Sequence, residues 1–190
     1  MTPLDRTPPV LRGGLWIALL MCLIGLGIGT APARDLTQVE KVALVATVER
    51  FDSAMRDHRF DQVIEVLPPR IITRLATQAG IDVAMLRETM VQQVNEALKH
   101  VGILSFSMNL DRATYQALSD GTPYALIPTE TVLRVGSGTT QTDANSLAMM
   151  DGGTWYLLDV NKAGQVALLT QAYPEFGGVA FGGKTTKAVP

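Results

Sequence analysis

The sequence is poor in the residues that form covalent and metal cross-links. Its single cysteine, Cys22, lies in an apolar segment near the start, and the 190 residues include only two histidines, His58 and His100. Beyond residue 33 the chain therefore has no thiol, which excludes disulfides, thiol redox chemistry and cysteine-based zinc sites there. Neither histidine has a second histidine four residues away, so the sequence predicts no metal site and no cofactor.

Charge is also sparse, and no cluster of one sign occurs. The formal net charge is −2, and it becomes −3 when Asp5, Arg6 and Arg12 are removed with the first 33 residues. Nucleic-acid-binding surfaces usually carry a concentrated basic patch, so we expect no nucleic-acid partner. The same scatter of charge gives no support for binding to anionic lipid headgroups.

Residues 1–33 have the order of a secretory signal peptide. Arg6 and Arg12 precede an uncharged apolar run over about residues 15–29, and the small-x-small pattern Ala31-Pro32-Ala33 follows. This order predicts cleavage after Ala33 and a periplasmic or secreted protein. The alternative is an uncleaved N-terminal membrane anchor, although the run is short beside the roughly 20 residues that a membrane span needs. Membrane contact is expected only in that second case.

Residues 34–175 are predicted to form one α+β domain whose first half is helical. Thr37 and Glu40 make a capping-box pair before an apolar-rich helix that should end near residues 57–59. Gly80 is expected to end a third helix and Asp82 to begin a fourth. The second, third and fourth helices are predicted at about residues 60–67, 68–80 and 82–101.

The second half of the domain predicts an antiparallel meander. Leu104, Phe106 and Met108 alternate with polar residues, which is typical of a strand with one buried face. Four more strands and a final helix are expected at about residues 114–118, 124–135, 140–150, 154–160 and 165–173. Pro128 indicates a sheet edge or a bulge. The N-terminal helices are expected to cover one face of the sheet, and residues 176–190 to form a flexible tail.

This layout resembles the NTF2-like superfamily, also called the cystatin-like or cone-shaped α+β fold. Two segments carry the resemblance besides the meander: ERFDSAMRDHRFDQVIEVL at residues 49–67 and the hairpin MMDGGTWYLLDV at residues 149–160. The resemblance covers roughly residues 36–160 and implies a curved sheet of about five strands that encloses a cone-shaped pocket with its helices. That superfamily includes isomerases, dehydratases, binding modules and uncharacterised exported bacterial proteins, so the resemblance does not assign a function.

The strands supply four candidate ligand-pocket residues and no catalytic motif. Tyr115, Tyr124, Asp143 and Tyr156 have the side-chain types that a carboxylate base and an oxyanion donor would need in an apolar pocket. The tyrosines also suit ordinary strand packing. Glu130 and Asp159 are further carboxylates on these strands. No nucleophile elbow and no phosphate-binding loop occurs, so we assign no catalytic residue.

The leading interpretation is an exported, non-catalytic domain that binds a small molecule or a protein partner. The first alternative is a pocket enzyme of the NTF2-like type, such as an isomerase, dehydratase or hydrolase. The second is an envelope structural or assembly protein. A homodimer is compatible with each interpretation.

Overall fold

The computed structural model describes residues 35–189, which begin with four helices. These are α1 (Gln38–Arg56), α2 (Phe60–Glu65), α3 (Pro69–Ala79) and α4 (Val83–Leu98). The strands are β1 (Val101–Met108), β2 (Thr114–Ala117), β3 (Pro123–Val135), β4 (Gly138–Asp151), β5 (Thr154–Asp159) and β6 (Thr185–Val189). Helix α5 (Ala163–Ala172) lies between β5 and β6, and 3-10 turns cover Leu110–Arg112 and Pro174–Phe176. The predicted signal peptide and its cleavage site lie outside the described residues.

The helix boundaries follow the capping residues that the sequence predicts. The Thr37 hydroxyl accepts the Glu40 N–H at 3.2 Å, and the Glu40 carboxylate accepts the Thr37 N–H at 2.8 Å. Asp82 accepts the Met85 N–H at 2.8 Å at the start of α4. Gly80 ends α3 in the left-handed region, with φ 67°. Within residues 35–189, no helix combines the length and the apolar character needed to cross a bilayer.

The six strands form one curled antiparallel sheet whose outer strands are interrupted. β3 and β4 pair along their whole length, from Tyr124 opposite Met149 to Val135 opposite Gly138. β1 and β2 share the other edge of β3, and β5 and β6 share the other edge of β4. The α+β class with helices on an antiparallel sheet is confirmed, with six strands where about five were expected.

Pro128 lies in a central strand, and not at a sheet edge or bulge as predicted. β1 pairs with β3 as far as Thr129 and β2 starts opposite Leu126, so Pro128 faces the first 3-10 turn. Its carbonyl accepts the Asn109 N–H at 2.8 Å. In an antiparallel strand, the N–H and the C=O of one residue point toward the same neighbouring strand. The side on which Pro128 lacks an N–H therefore faces the gap between β1 and β2. No ladder hydrogen bond is therefore lost.

Side chains on the two faces of the sheet enter two different cores. We call the α1 side the first core; it includes Leu44, Val48, Ala125, Ile127, Ala148, Trp155 and Leu157. The opposite side is the second core; it includes Ile71, Tyr124, Leu147, Met149, Leu158, Leu169, Tyr173, Phe176 and Phe181. Adjacent residues such as Leu157 and Leu158 alternate between the two.

The second core differs from the expectation that the N-terminal helices cover one face alone. The Val66 carbonyl accepts the Leu157 N–H at 2.8 Å, so the chain after α2 runs beside β5. α3 then continues past this edge, and its Ile71 packs on the far face of the sheet together with α5. Helices therefore contribute to both faces, which departs from the predicted one-sided layer.

Residues 176–189 differ from the flexible tail that the sequence predicts. Phe176 and Phe181 are buried in the second core, and the Phe176 ring meets the Tyr124 ring edge-on with centroids 5.5 Å apart. β6 then pairs with residues 139–143 of β4. The two phenylalanines hold the segment in place because they cover apolar side chains on this face of the sheet, which would otherwise be exposed to water.

Two asparagines close the gap between β5 and β6 along the edge of β4. The Asn161 amide donates to the Asn145 carbonyl at 3.0 Å, and the Asn145 amide donates to the Phe181 carbonyl at 3.2 Å. Gly182 follows with φ 81°, and a Cβ there would lie 2.7 Å from the Asn145 amide nitrogen. The positive φ and this close contact both favour glycine at position 182.

A polar cluster joins α3, the β4–β5 hairpin and the end of α5. The buried Tyr173 hydroxyl donates to Asp151 at 2.9 Å and accepts the Arg70 N–H at 3.3 Å. The Arg70 guanidinium lies 4.5 Å from the Tyr173 ring centroid and contacts Asp151 and Glu175 at 3.4 and 3.3 Å. Burial is the main cause that raises the pKa of the Tyr173 hydroxyl above its ordinary value, and the hydrogen bond to Asp151 raises it further.

Tyr173 is expected to make the protein sensitive to alkaline pH. Because its pKa is raised in the folded state, the unfolded chain loses this proton first, and the stabilisation present below about pH 10 declines above it. For one proton the decline is at most about 1.4 kcal/mol per pH unit. Urea unfolding between about pH 9 and pH 11 should show a shallower decline for Tyr173→Phe than for the wild type. Burial also raises the pKa of Tyr124, so part of the decline should remain.

The control for that experiment is Tyr115→Phe, which removes a half-buried hydroxyl that donates to the Leu110 carbonyl at 3.2 Å on the first-core side. Equal alkaline slopes in the wild type and in Tyr173→Phe would contradict the prediction.

Candidate ligand-binding cavity

An apolar cavity of about 320 Å³ lies between the helices and the first-core face of the sheet. Its helical wall comes from α1, α2 and α4 and consists of Phe51, Val63, Ile64, Met90 and Val94, with Leu67 from the connection between α2 and α3. Its sheet wall includes the apolar side chains Phe106, Met108, Ala144 and Leu157. The volume lies at the lower end of the roughly 300–1,000 Å³ typical of small-molecule sites.

The cavity exists because α4 does not close onto the sheet. No residue of α4 is fully buried, although Leu86, Met90 and Val94 form the apolar stripe that the sequence predicts. The Phe51 and Phe106 rings meet edge-on between α1 and β1, with centroids 5.5 Å apart. Arg87 donates to the Ile64 carbonyl at 3.1 Å and ties α4 to α2. α4 and α2 are thus linked, and space remains between them and the sheet.

Hydroxyl side chains replace large aliphatic ones on the sheet wall. Thr129 donates to the Ile127 carbonyl at 3.0 Å and lies 2.9 Å from the Ser146 hydroxyl. The Thr142 hydroxyl lies 3.4 Å from that of Thr186 on β6. Thr131 lies directly opposite Thr142, and within residues 35–189 its hydroxyl has no hydrogen-bond partner. Small side chains leave the space open, and Thr131 offers a polar contact to an occupant.

The rim of the cavity carries three charged groups. Lys162 follows β5, and Lys184 lies on the segment that returns to β6. Both are exposed, and neither forms an ion pair with any residue from 35 to 189. Asp159 is the third group, and it accepts the Asn161 N–H at 2.9 Å. The cavity is therefore mostly apolar inside, with uncharged hydroxyls on its sheet wall and with one negative and two positive charges at its edge.

The four predicted pocket residues are not brought together, and none lines this cavity. Tyr124 is fully buried in the second core and donates to the Gln116 side chain. Tyr156 packs against the same second core. Tyr115 packs against the first core, and its hydroxyl is bound to a backbone carbonyl. Their role in ligand binding stays a prediction, and the cavity is formed by other residues.

Asp143, the fourth candidate, borders an open polar cleft on the opposite face of the sheet. It lies directly across from Glu130, and the Gln141 amide donates to both carboxylates, at 3.0 and 2.7 Å. The Lys187 ammonium lies 3.9 Å from Asp143. The cleft measures about 560 Å³ but opens widely to solvent, and its carboxylates already have partners. Among residues 35–189, no three His, Cys, Asp or Glu side chains come close enough to hold a metal ion.

Most of the cavity residues have an ordinary core pattern in the sequence. Met90 and Met108 fall on predicted apolar faces, which indicates core packing and gives no sign of a void. The available signal was on the strands, where Thr129, Thr131 and Thr142 occupy inward positions that would normally hold large aliphatic residues. Inward threonines opposite a helix that has no fully buried residue mark the place where two layers stay apart.

We compared the chain with known protein families, curated proteins and solved structures. No protein-family model matches it, and no curated protein and no solved structure does so either. The assignment therefore stands on geometry alone: an α+β domain with a curled antiparallel half-barrel sheet, compatible with a cone-like fold.

Proposed function

We propose that this chain is an exported, non-catalytic module of the NTF2-like type that binds a small, largely apolar molecule in the cavity between α4 and the sheet. The observation that carries the proposal is the apolar cavity that the side chains of α4 and the sheet leave between them. Protein interiors are otherwise close-packed, so a space of this size under a fixed helix layer is a feature that needs an occupant or water. The signal-peptide order of residues 1–33 supports export.

The chemistry of the cavity wall favours binding over catalysis. Its interior polar groups are the hydroxyls of Thr129, Thr131, Thr142 and Ser146 and the amide of Asn161, and the one carboxylate, Asp159, is exposed at the rim. A general base works best when burial or a neighbouring charge tunes its pKa toward the working pH, and the interior holds no such group. The ionisable groups that a pocket enzyme could use are Asp159, Lys162 and Lys184, and all three are exposed at the rim.

A cavity-filling substitution tests this proposal. Ala144→Leu places three extra heavy atoms in the cavity, while Ala84→Leu adds the same atoms to the exposed side of α4. We expect the neutral apolar fluorophore N-phenyl-1-naphthylamine to bind the wild type and Ala84→Leu saturably at one site. Binding by Ala144→Leu should be at least about tenfold weaker, a difference of about 1.4 kcal/mol.

Thermal unfolding of each variant shows whether the fold is kept. Absence of saturable binding to a folded wild type would contradict the proposal, and so would equal affinities for the Ala144→Leu and Ala84→Leu variants. Wild-type binding that exceeds one molecule per chain would place the fluorophore on surface patches and would count against the cavity.

A further inference from the structure

The charged groups at the rim of the cavity restrict the kinds of ligand that it can bind. Lys162 and Lys184 are 22 positions apart in the chain. The Asn145–Asn161 hydrogen bonds and the Phe181 carbonyl bring their two segments to the same edge of β4. Lys162, Lys184 and Asp159 are the charged side chains among the residues that line the cavity. The rim therefore carries a net charge of about +1 at neutral pH.

The two lysines are free to bind a ligand group. Within the described part of the chain, neither makes an ion pair or a side-chain hydrogen bond. Asp159 is occupied, since it accepts hydrogen bonds from the backbone and the side chain of Asn161. Because both lysines line this one cavity, a single carboxylate bound there would leave the rim neutral overall, whereas a doubly charged headgroup would leave the negative charge of Asp159 without a matching cation.

The interior limits the rest of the ligand to an apolar body. Phe51, Val94 and Phe106 are half-buried around the cavity, and Leu157 is buried. Met90 and Met108 have flexible, unbranched side chains that can repack around tails of different shape. A volume of about 320 Å³ accepts a short or medium chain and excludes a two-chain lipid.

We infer that the ligand is a single-chain amphiphile with a monoanionic carboxylate head, which contacts Lys162 and Lys184 while its tail fills the cavity between α4 and the sheet. The inference rests on the proposed function, because it assigns a ligand class to the same cavity. It adds the requirement that affinity depends on a negative head and on these two side chains.

Ligands with the same tail and different heads test this requirement. Decanoate, decan-1-ol and decyltrimethylammonium compete with N-phenyl-1-naphthylamine for the wild type, for Lys162→Gln/Lys184→Gln and for the control Lys41→Gln/Lys99→Gln. The control removes the same charge from exposed positions that do not line the cavity. Because the two double variants have the same net charge, a difference between them reports contact of the ligand with Lys162 and Lys184, and not its attraction to the overall charge of the protein.

We expect the wild type and the control to bind decanoate about tenfold more tightly than decan-1-ol, and the cationic ligand least. The rim variant should lose this preference for decanoate while keeping its affinity for decan-1-ol. The preference should also weaken between about 0.05 and 0.5 M salt, because the lysines are exposed and screened.

Two results would overturn the inference and leave the cavity proposal standing: equal affinities of the wild type for decanoate and decan-1-ol, or an undiminished preference for decanoate in Lys162→Gln/Lys184→Gln. Failure of every decyl ligand to displace a bound fluorophore would also overturn it. Failure of the fluorophore itself to bind contradicts the proposed function instead.

Discussion

Replacement of Phe176 with alanine is expected to lower the free energy of unfolding by about 3–5 kcal/mol, the range for large-to-small changes at buried aromatic positions. Phe176 is 1% exposed in the second core. Its ring lies 5.5 Å from the Tyr124 centroid and 6.3 Å from the Phe181 centroid. The alanine variant leaves a void between these rings, and the sheet and α5 can close it only in part. Urea unfolding followed by far-UV circular dichroism gives the value.

Lys187→Ala is the control for this change, since it alters an exposed residue of the same C-terminal segment. Its contact with Asp143, at 3.9 Å on the surface, should contribute under about 1 kcal/mol. A loss below about 1 kcal/mol for Phe176→Ala would mean that residues 176–189 do form the flexible tail that their sequence predicts.

Replacement of Trp155 with alanine is expected to cost a similar amount, about 3–5 kcal/mol, on the other side of the sheet. Trp155 is 2% exposed in the first core, and its indole N–H donates to the Glu40 carbonyl at 3.0 Å. The side chain therefore joins β5 to the first turn of α1 by packing and by a hydrogen bond. Far-UV circular dichroism is again the suitable measurement, because fluorescence would lose its reporter together with Trp155.

Trp155→Phe separates the two contributions. It keeps most of the apolar area and removes the indole donor, so the loss should be smaller than for alanine, where packing and the hydrogen bond both disappear. Equal losses for the alanine and phenylalanine variants would show that the contact with Glu40, and not packing, dominates. A loss under about 1 kcal/mol for Trp155→Ala would contradict the packing of α1 on this face.

The features predicted correctly depend on a few neighbouring residues. The capping box of Thr37 and Glu40, the Asp82 cap and the Gly80 end of α3 involve partners within four or five positions, which the sequence displays directly. The alternation of Phe106 and Met108 with polar residues likewise predicts β1. Leu104 was wrongly expected on the same buried face: it is 44% exposed, because a register shift between Ile103 and Ser105 breaks the alternation. Local chemistry therefore placed nearly all helices and strands.

The C-terminal segment could not be placed this way. Thr185–Val189 is mostly polar and follows a glycine-rich stretch, so its pattern is typical of a flexible end. It becomes a strand because β5 ends beside Ser146 and leaves residues 139–143 of β4 without a neighbour. The free edge of β4 therefore determines that residues 185–189 form a strand, and nothing in the sequence of those residues indicates that this edge is free.

The residues that line the cavity were not predicted, because the pattern of a strand does not show which of its two sets of side chains lies on which face of the sheet. Tyr124, Asp143 and Tyr156 lie on the face opposite the cavity, and each neighbouring strand residue lies on the cavity side. A shift of one position reverses every side chain, and only pairing with β3 and β4 sets the register. The cavity itself depends on the spacing between layers, which has no counterpart in the periodicity of either layer.

The second core also determines when the domain can finish folding. A chain that emerges gradually, during synthesis or passage through a translocation channel, presents Leu147 and Met149 well before Phe176 and Phe181. Until that later segment arrives, one face of the sheet lacks its cover, and contacts between distant positions are slow to form. The second core therefore cannot finish folding until the chain has emerged as far as about residue 181. If the chain is exported as we propose, such a delay would leave the second core open during transit and let it close only after residue 181 has crossed.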